Sequence, residues 1–194
     1  MRRNKMKYGK EYFENRGLHK HLFFEFVKWL RYLNADGILE PRFMFLGCGL
    51  GHRVYIASYY ETLAHGIDLE YPIKNTPYDR IKKQLAFGDI AKDETFNSIP
   101  DSFYNVVCAY DVLEHMDGIQ QVENTLKNMY KISNKYVIIS VPVIGDKNLE
   151  ADPTHNIKKS LEWWHYTIGK AGFNIIETPS DWLYRHQIIL GVKK

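Results

Sequence analysis

The arrangement of apolar and polar positions predicts a chain that alternates helices with short buried strands. Residues 19 to 34, HKHLFFEFVKWLRYLN, set Leu22, Phe23, Phe26, Val27, Leu30 and Leu33 at helical spacing, which predicts an amphipathic helix. Asn34-Ala35-Asp36-Gly37 is expected to end it. RFMFL, 42 to 46, reads as a first strand, followed by a glycine turn and a helix over about 52 to 63. AHGID, 64 to 68, reads as a second strand, then a polar segment with Pro72 and Pro77 leads to a short helix over 78 to 83. Further strands are expected at 85 to 89, 103 to 110, 136 to 141, 173 to 177 and 186 to 192, and further helices at 118 to 131 and 160 to 171. A long polar loop fills 142 to 159. The connection between the last two strands is too short for a crossover helix, so those two should pair antiparallel. Strands alternating with helices imply a mainly parallel sheet covered on both faces, whose ligands bind beyond the carboxyl ends of the strands.

The segment FLGCGLG, 45 to 51, concentrates the chemistry. Gly47, Gly49 and Gly51 follow a strand and open a helix. In that setting backbone can approach a ligand closely, and free N–H groups can face an anion. A tight strand-to-helix turn would use the same residues. Asp68 ends the next strand, 68 − 47 = 21 residues after the first glycine. An acid at about that separation can accept hydrogen bonds from a ribose diol. The two features together favour an adenosine-containing cofactor. The spacing is GxGxG, with His52 where a dinucleotide loop places its last glycine, and no GK[ST] follows. Both points argue against a dinucleotide and against a nucleoside triphosphate loop.

FLGCGLG resembles the first motif of the class I S-adenosylmethionine (SAM) dependent methyltransferases, and the resemblance runs in order from about residue 9 to 192. HGIDLE, 65 to 70, is similar to the family's ribose-binding strand end. FGDI, 87 to 90, resembles the segment whose acid meets the adenine amino group. SFYNVVCAYDVLEHM, 102 to 116, is the most specific match, of the VLEH type. KYVIISVPV and SLEWWHYTIGKAGFNII resemble the fifth strand and the closing helix and strand. GKEYFENRG, 9 to 17, is similar to an N-terminal cap segment. The resemblance implies a Rossmann-like α/β fold with seven strands, mostly parallel, in the order 3-2-1-4-5-7-6 with strand 7 antiparallel. It implies one methyltransferase domain over 1 to 194, a cap segment and helix over 1 to 40 preceding a SAM-binding core over 41 to 194. It implies SAM as cofactor, held by Gly47, Cys48, Gly49, Gly51, Asp68, Leu69, Asp89, Ile90 and Tyr110. One position departs from the family. Phe45 stands where most members carry an acid that orients the methionine amino group. The amino group is then held otherwise, SAM binds weakly, or the site is degenerate; Phe45 could also simply face the core.

Composition and charge refine this picture. Across 194 residues the hydrophobic share is 45% and the charged share 25%, the balance of a globular protein. No apolar run is long enough to span a membrane, and two cysteines with no CxxC pair suit a reducing, cytoplasmic setting. A net charge of +3 is far from a nucleic-acid signature, although Arg2, Arg3, Lys5, Lys7 and Lys10 cluster at the start. Methyl transfer needs alignment of nucleophile and methyl group, and a hydroxyl acceptor also gains from a base. His155, in the loop after strand 5, and His115, just after strand 4, are the candidate catalytic bases. His19 and His21 form an HxH pair without an evident third ligand, so no metal is expected. One of Trp163 and Trp164 should be core and the other could face substrate. Tyr8, Tyr12 and Phe13 could form a lid. YDVLEH stands where DNA amino-methylating members place [DN]PP[YF], which argues against such an activity, and the resemblance to small VLEH-type members implies a small-molecule acceptor, methylated at oxygen. A catalytically degenerate SAM-binding or interaction module, and a nucleic-acid or protein methyltransferase, are the alternatives. The expected assembly is a monomer or homodimer.

Overall fold

The computed structural model describes residues 17–178 and 187–194. Helix α1 (Lys20–Ala35) buries Leu22, Phe26, Trp29 and Leu33, a stripe at spacings of three and four. It is followed by β1 (Phe43–Leu46), α2 (His52–Tyr59), β2 (Ala64–Asp68), α3 (Glu70–Lys74), β3 (Leu85–Phe87), β4 (Tyr104–Tyr110), α4 (Ile119–Ile132), β5 (Ser133–Val141), α5 (Lys147–Ala151), α6 (Leu161–Lys170), β6 (Phe173–Ile176) and β7 (Gln187–Lys193). Short stretches of 3-10 helix lie at Asp79–Gln84, Asp93–Phe96 and Leu113–His115.

The seven strands form one sheet in the order β3-β2-β1-β4-β5-β7-β6. The β1–β2, β1–β4, β2–β3 and β4–β5 pairs are parallel, while β7 pairs antiparallel with both β5 and β6. This is the order expected from the resemblance. The central strands are buried on both faces, as parallel strands between helix layers must be. Met44 and Leu46 point to the layer that holds Leu126, Met129 and Trp164. Phe43 and Phe45 point the other way, to Phe26, Trp29, Val54 and Ala57.

Several boundaries differ from the sequence reading. The helix expected over 52 to 63 stops at Tyr59, and Glu61 takes a left-handed φ of 56°. The strand expected over 85 to 89 ends at Phe87, so Asp89 lies beyond the sheet. The polar segment after Asp68 contains α3. Pro72 fits there because it sits in the first turn, where its missing N–H has no intrahelical partner to lose. The loop from 142 to 159 holds α5 and buries Leu149, His155 and Ile157, so it packs against the core despite its polar composition. Trp164 is fully buried; Trp163 is half-buried, with Lys159 Nζ 5.4 Å from its ring centroid. The cap segment, the basic cluster at the start and the aromatic lid residues Tyr8, Tyr12 and Phe13 lie outside the described residues. No helix among the described residues is long and apolar enough to cross a membrane.

Candidate functional site

The carboxyl ends of β1, β2 and β4 converge, and the loops that leave them build one site. At β1 the chain must turn sharply into α2. Gly47 takes φ 65° and Gly51, the residue capping α2, takes φ 87°. Gly47 is doubly constrained, because a Cβ there would stand 2.3 Å from Val112 Cγ2 on the β4 exit. The loop is pinned to β2: the N–H groups of Gly47 and Cys48 donate to the Ile67 carbonyl at 2.8 and 3.2 Å. Thr76 Oγ1 donates to the Leu50 carbonyl at 2.8 Å from the far side.

Asp68 closes this arrangement. Its Oδ2 accepts the Gly49 N–H at 2.7 Å and its Oδ1 accepts the Leu69 N–H at 2.6 Å. Each carboxylate oxygen keeps further acceptor capacity toward a ligand. Burial pushes the carboxyl up to about 6, against the two backbone hydrogen bonds, which favour the charged form. Cys48 packs beside Gly66, and burial together with the Asp68 carboxylate raises its thiol well above the usual range. It is therefore a packing residue of the loop and no thiolate nucleophile. His52 fills the place of a third dinucleotide-loop glycine; its Nδ1 lies 2.6 Å from the Tyr78 hydroxyl. A side chain held there leaves no close helix approach for a pyrophosphate.

Asp89 lies two residues beyond β3, where its Oδ1 accepts the Ala91 N–H at 3.0 Å. Ile90 is buried, and its carbonyl accepts from Asn128 Nδ2 at 3.3 Å. Leu69 is 48% exposed beside Asp68. Tyr110 ends β4 with the Arg53 guanidinium 3.5 Å from its ring centroid. The nine residues expected to hold the cofactor thus sit on the exits of β1, β2, β3 and β4.

Phe45 is buried, 4% exposed, and stacks on Phe43 at 5.8 Å between centroids. It belongs to the apolar layer under α1 and makes no polar contribution to the site. The sequence reading missed two features nearby. Arg53, from the first turn of α2, pairs with Glu25 of α1 at 2.9 Å, and both charges act on buried Cys108, the cross-strand neighbour of Phe45. Glu25 Oε2 is buried and has no hydrogen-bond partner. Glu25 projects from a helix remote in sequence, so only the fold places it here. The second feature is Asp111, the residue after β4, held at a left-handed φ of 54° with its Oδ1 accepting the Ser140 hydroxyl at 2.7 Å. A non-glycine residue in that conformation is strained, and such strain gathers at functional sites.

The two candidate bases come together although 40 residues separate them in sequence. The turn at Leu113–His115 and the segment 154–157 are strapped to each other: the N–H groups of Asn156 and Ile157 both donate to the Glu114 carbonyl, at 2.8 and 2.9 Å. The rings of His115 and His155 lie 4.7 Å apart. Both are mostly buried, with side chains 7% and 6% exposed, against a fully buried Glu114. His19 and His21 stack on each other at 5.5 Å.

The sheet order, the antiparallel β7 and the glycine loop on the β1 exit define the Rossmann-like methyltransferase fold. Solved structures with the same fold include the magnesium protoporphyrin IX methyltransferase of Synechocystis with bound SAH, 19% identical, covering 90% of this chain and 84% of that one at a TM-score of 0.64. A SAM-dependent methyltransferase from Archaeoglobus fulgidus is 18% identical, covering 90% of this chain and 100% of that one, at a TM-score of 0.62. A protein from Pyrococcus horikoshii reaches a TM-score of 0.67 at 14% identity, over 95% and 99% of the two chains. No protein-family model matches the chain, and no curated protein matches it either.

Proposed function

We propose that the chain binds SAM and transfers its methyl group to a small-molecule acceptor, through oxygen. The observation that carries the reading is Asp68: a partly buried carboxylate fixed by the Gly49 and Leu69 N–H groups, placed beside a left-handed glycine loop. That arrangement suits a ribose diol. Leu69, Asp89 and Ile90 would flank the adenine, with Gly47, Cys48, Gly51 and Tyr110 around the methionine end. His115 and His155 are the proposed acceptor-side groups. Assay of labelled SAM against hydroxylated sugars, phenols and quinone precursors tests the reading. Transfer to such an acceptor supports it, and transfer only to protein or nucleic acid overturns its choice of acceptor.

Phe45 favours one alternative, a module that keeps the cofactor and has lost catalysis. SAM binding without transfer to any acceptor class would support that alternative. Against degeneracy stands Glu25. Its free oxygen, anchored by Arg53 on the same sheet face as Phe45, supplies the acid that position 45 lacks, and in this reading it accepts the methionine ammonium. Glu25→Gln should then weaken SAH binding about tenfold while leaving 5′-methylthioadenosine, which has no ammonium, unchanged. One charge-assisted hydrogen bond is worth roughly 1.5–3 kcal/mol. Equal loss for both ligands would remove Glu25 from the amino-group site.

Binding should also depend on pH in a set direction. The Asp68 carboxyl, raised to about 6, is largely protonated in the free protein at pH 5 and ionised at pH 7.5. Ribose hydroxyls donate to the charged form, so SAH affinity should rise across pH 5 to 7 and level above. The free fold should show the opposite trend. A carboxyl raised above its unfolded value favours the folded state at low pH, and that contribution is lost as pH rises from about 4 to about 6. Isothermal titration at several pH values checks the first; Asp68→Asn should flatten the profile.

A further inference from the structure

Outside the cofactor loop, the most constrained group of chemical side chains is Glu114, His115 and His155. One ligand atom from each lies within 4.8 Å of the others. The hydrogen bonds on the outer ring nitrogens set the tautomers. His155 Nδ1 lies 3.1 Å from the Leu149 carbonyl, an acceptor only, so Nδ1 carries the proton. Thr154 Oγ1 donates to Asp152 Oδ1 at 2.6 Å and so accepts from His115 Nδ1 at 2.9 Å. With Nδ1 engaged on the outer side of each ring, both Nε2 atoms face inward, 3.9 and 4.0 Å from Glu114 Oε1. Those separations exceed a hydrogen bond. Three potential ligand atoms thus face one point, and a small inward shift of the side chains would bring them to one ion. Asp152 Oδ2, 3.8 Å from His155 Nε2, adds negative charge at the rim. The Nδ1 bonds to a carbonyl and a hydroxyl are the outer interactions that orient ligating histidines.

We propose that Glu114, His115 and His155 form a binding site for a divalent first-row cation such as zinc or cobalt, the chemistry that two imidazoles and one carboxylate select. The cation would clip the β4 exit to the segment 152–157. Three protein donors leave a coordination position open, and an acceptor oxygen there would be activated by the cation in place of an imidazole. That consequence rests on the methyl-transfer reading; the binding itself does not.

The test uses the full chain after chelation and dialysis, with neither SAM nor acceptor present, titrated with cobalt(II). One equivalent should bind, with visible d–d absorption and a rise in melting temperature. His155→Ala and Glu114→Gln should each weaken binding about a hundredfold or more, beyond the 10–100-fold typical of outer-shell changes. The His19→Ala, His21→Ala double variant should bind as wild type does. Should Glu114→Gln fold poorly, His155→Ala, on a loop, carries the comparison. No absorption at millimolar cobalt, retained binding in the His155 variant, or loss in the His19, His21 variant would each overturn the site. SAH binding measured on the same samples reports the methyl-transfer reading separately, so either can fail alone.

Discussion

Asp68→Ala is expected to lose about two orders of magnitude in affinity for SAH, with little change in melting temperature. The binding side follows from geometry. In the proposed complex both carboxylate oxygens accept ribose hydroxyls, and two charge-assisted bonds at roughly 1.5–3 kcal/mol each set the scale. The stability side follows from burial. Above pH 6 the folded protein holds a largely desolvated carboxylate, and removing it relieves a cost even as the Gly49 and Leu69 N–H groups lose their acceptor. Binding and stability should therefore separate. Calorimetry with SAH and a melting curve on the same preparation make the comparison. Affinity within threefold of wild type would exclude Asp68 as the ribose acid, and a collapse in melting temperature would make it a structural residue.

Gly47→Ala is expected to destabilise the fold by about 2–5 kcal/mol and to abolish cofactor binding in whatever fraction stays folded. A left-handed φ costs a residue with a Cβ about 1–2 kcal/mol, and forced overpacking adds about 1–3 kcal/mol. Here the new Cβ would stand 2.3 Å from Val112 Cγ2, in a place where β1 and β4 are paired and cannot part freely. The two causes can be separated. Val112→Ala in the Gly47→Ala background should restore part of the overpacking share, since Val112 Cβ would still stand 2.7 Å from the new Cβ, and leave the backbone share. If the double variant is no more stable than the single one, the contact with Val112 is not what limits position 47.

The strands and the glycine loop were legible because their signals are local. Val-Val-Cys-Ala can hardly be other than buried, and GxGxG after a strand and before a helix has few structural meanings. Sheet order was not in the residue pattern; it came with the resemblance, and the pairing of β7 between β5 and β6 agrees with it. What escaped the sequence depends on distance along the chain. Glu25 reaches the site from α1, paired with Arg53 28 residues later, and no spacing rule links them. Glu114 reads as one acid in VLEH until the fold sets it under His155. The loop at 142 to 159 is polar by composition, yet it buries His155 and Ile157 and ties its backbone to the carbonyl of Glu114. Phe45 was readable either as a core residue or as a mark of a failing site; stacked on Phe43, it is a core residue.

The central claim, that the β1 loop and Asp68 hold an adenosyl cofactor, meets its most direct test in calorimetric titration of the full chain with SAM and with SAH at pH 7.5. The account predicts binding of both at one equivalent, competition between them, and loss of both in Asp68→Ala. Absence of binding at millimolar ligand would contradict it.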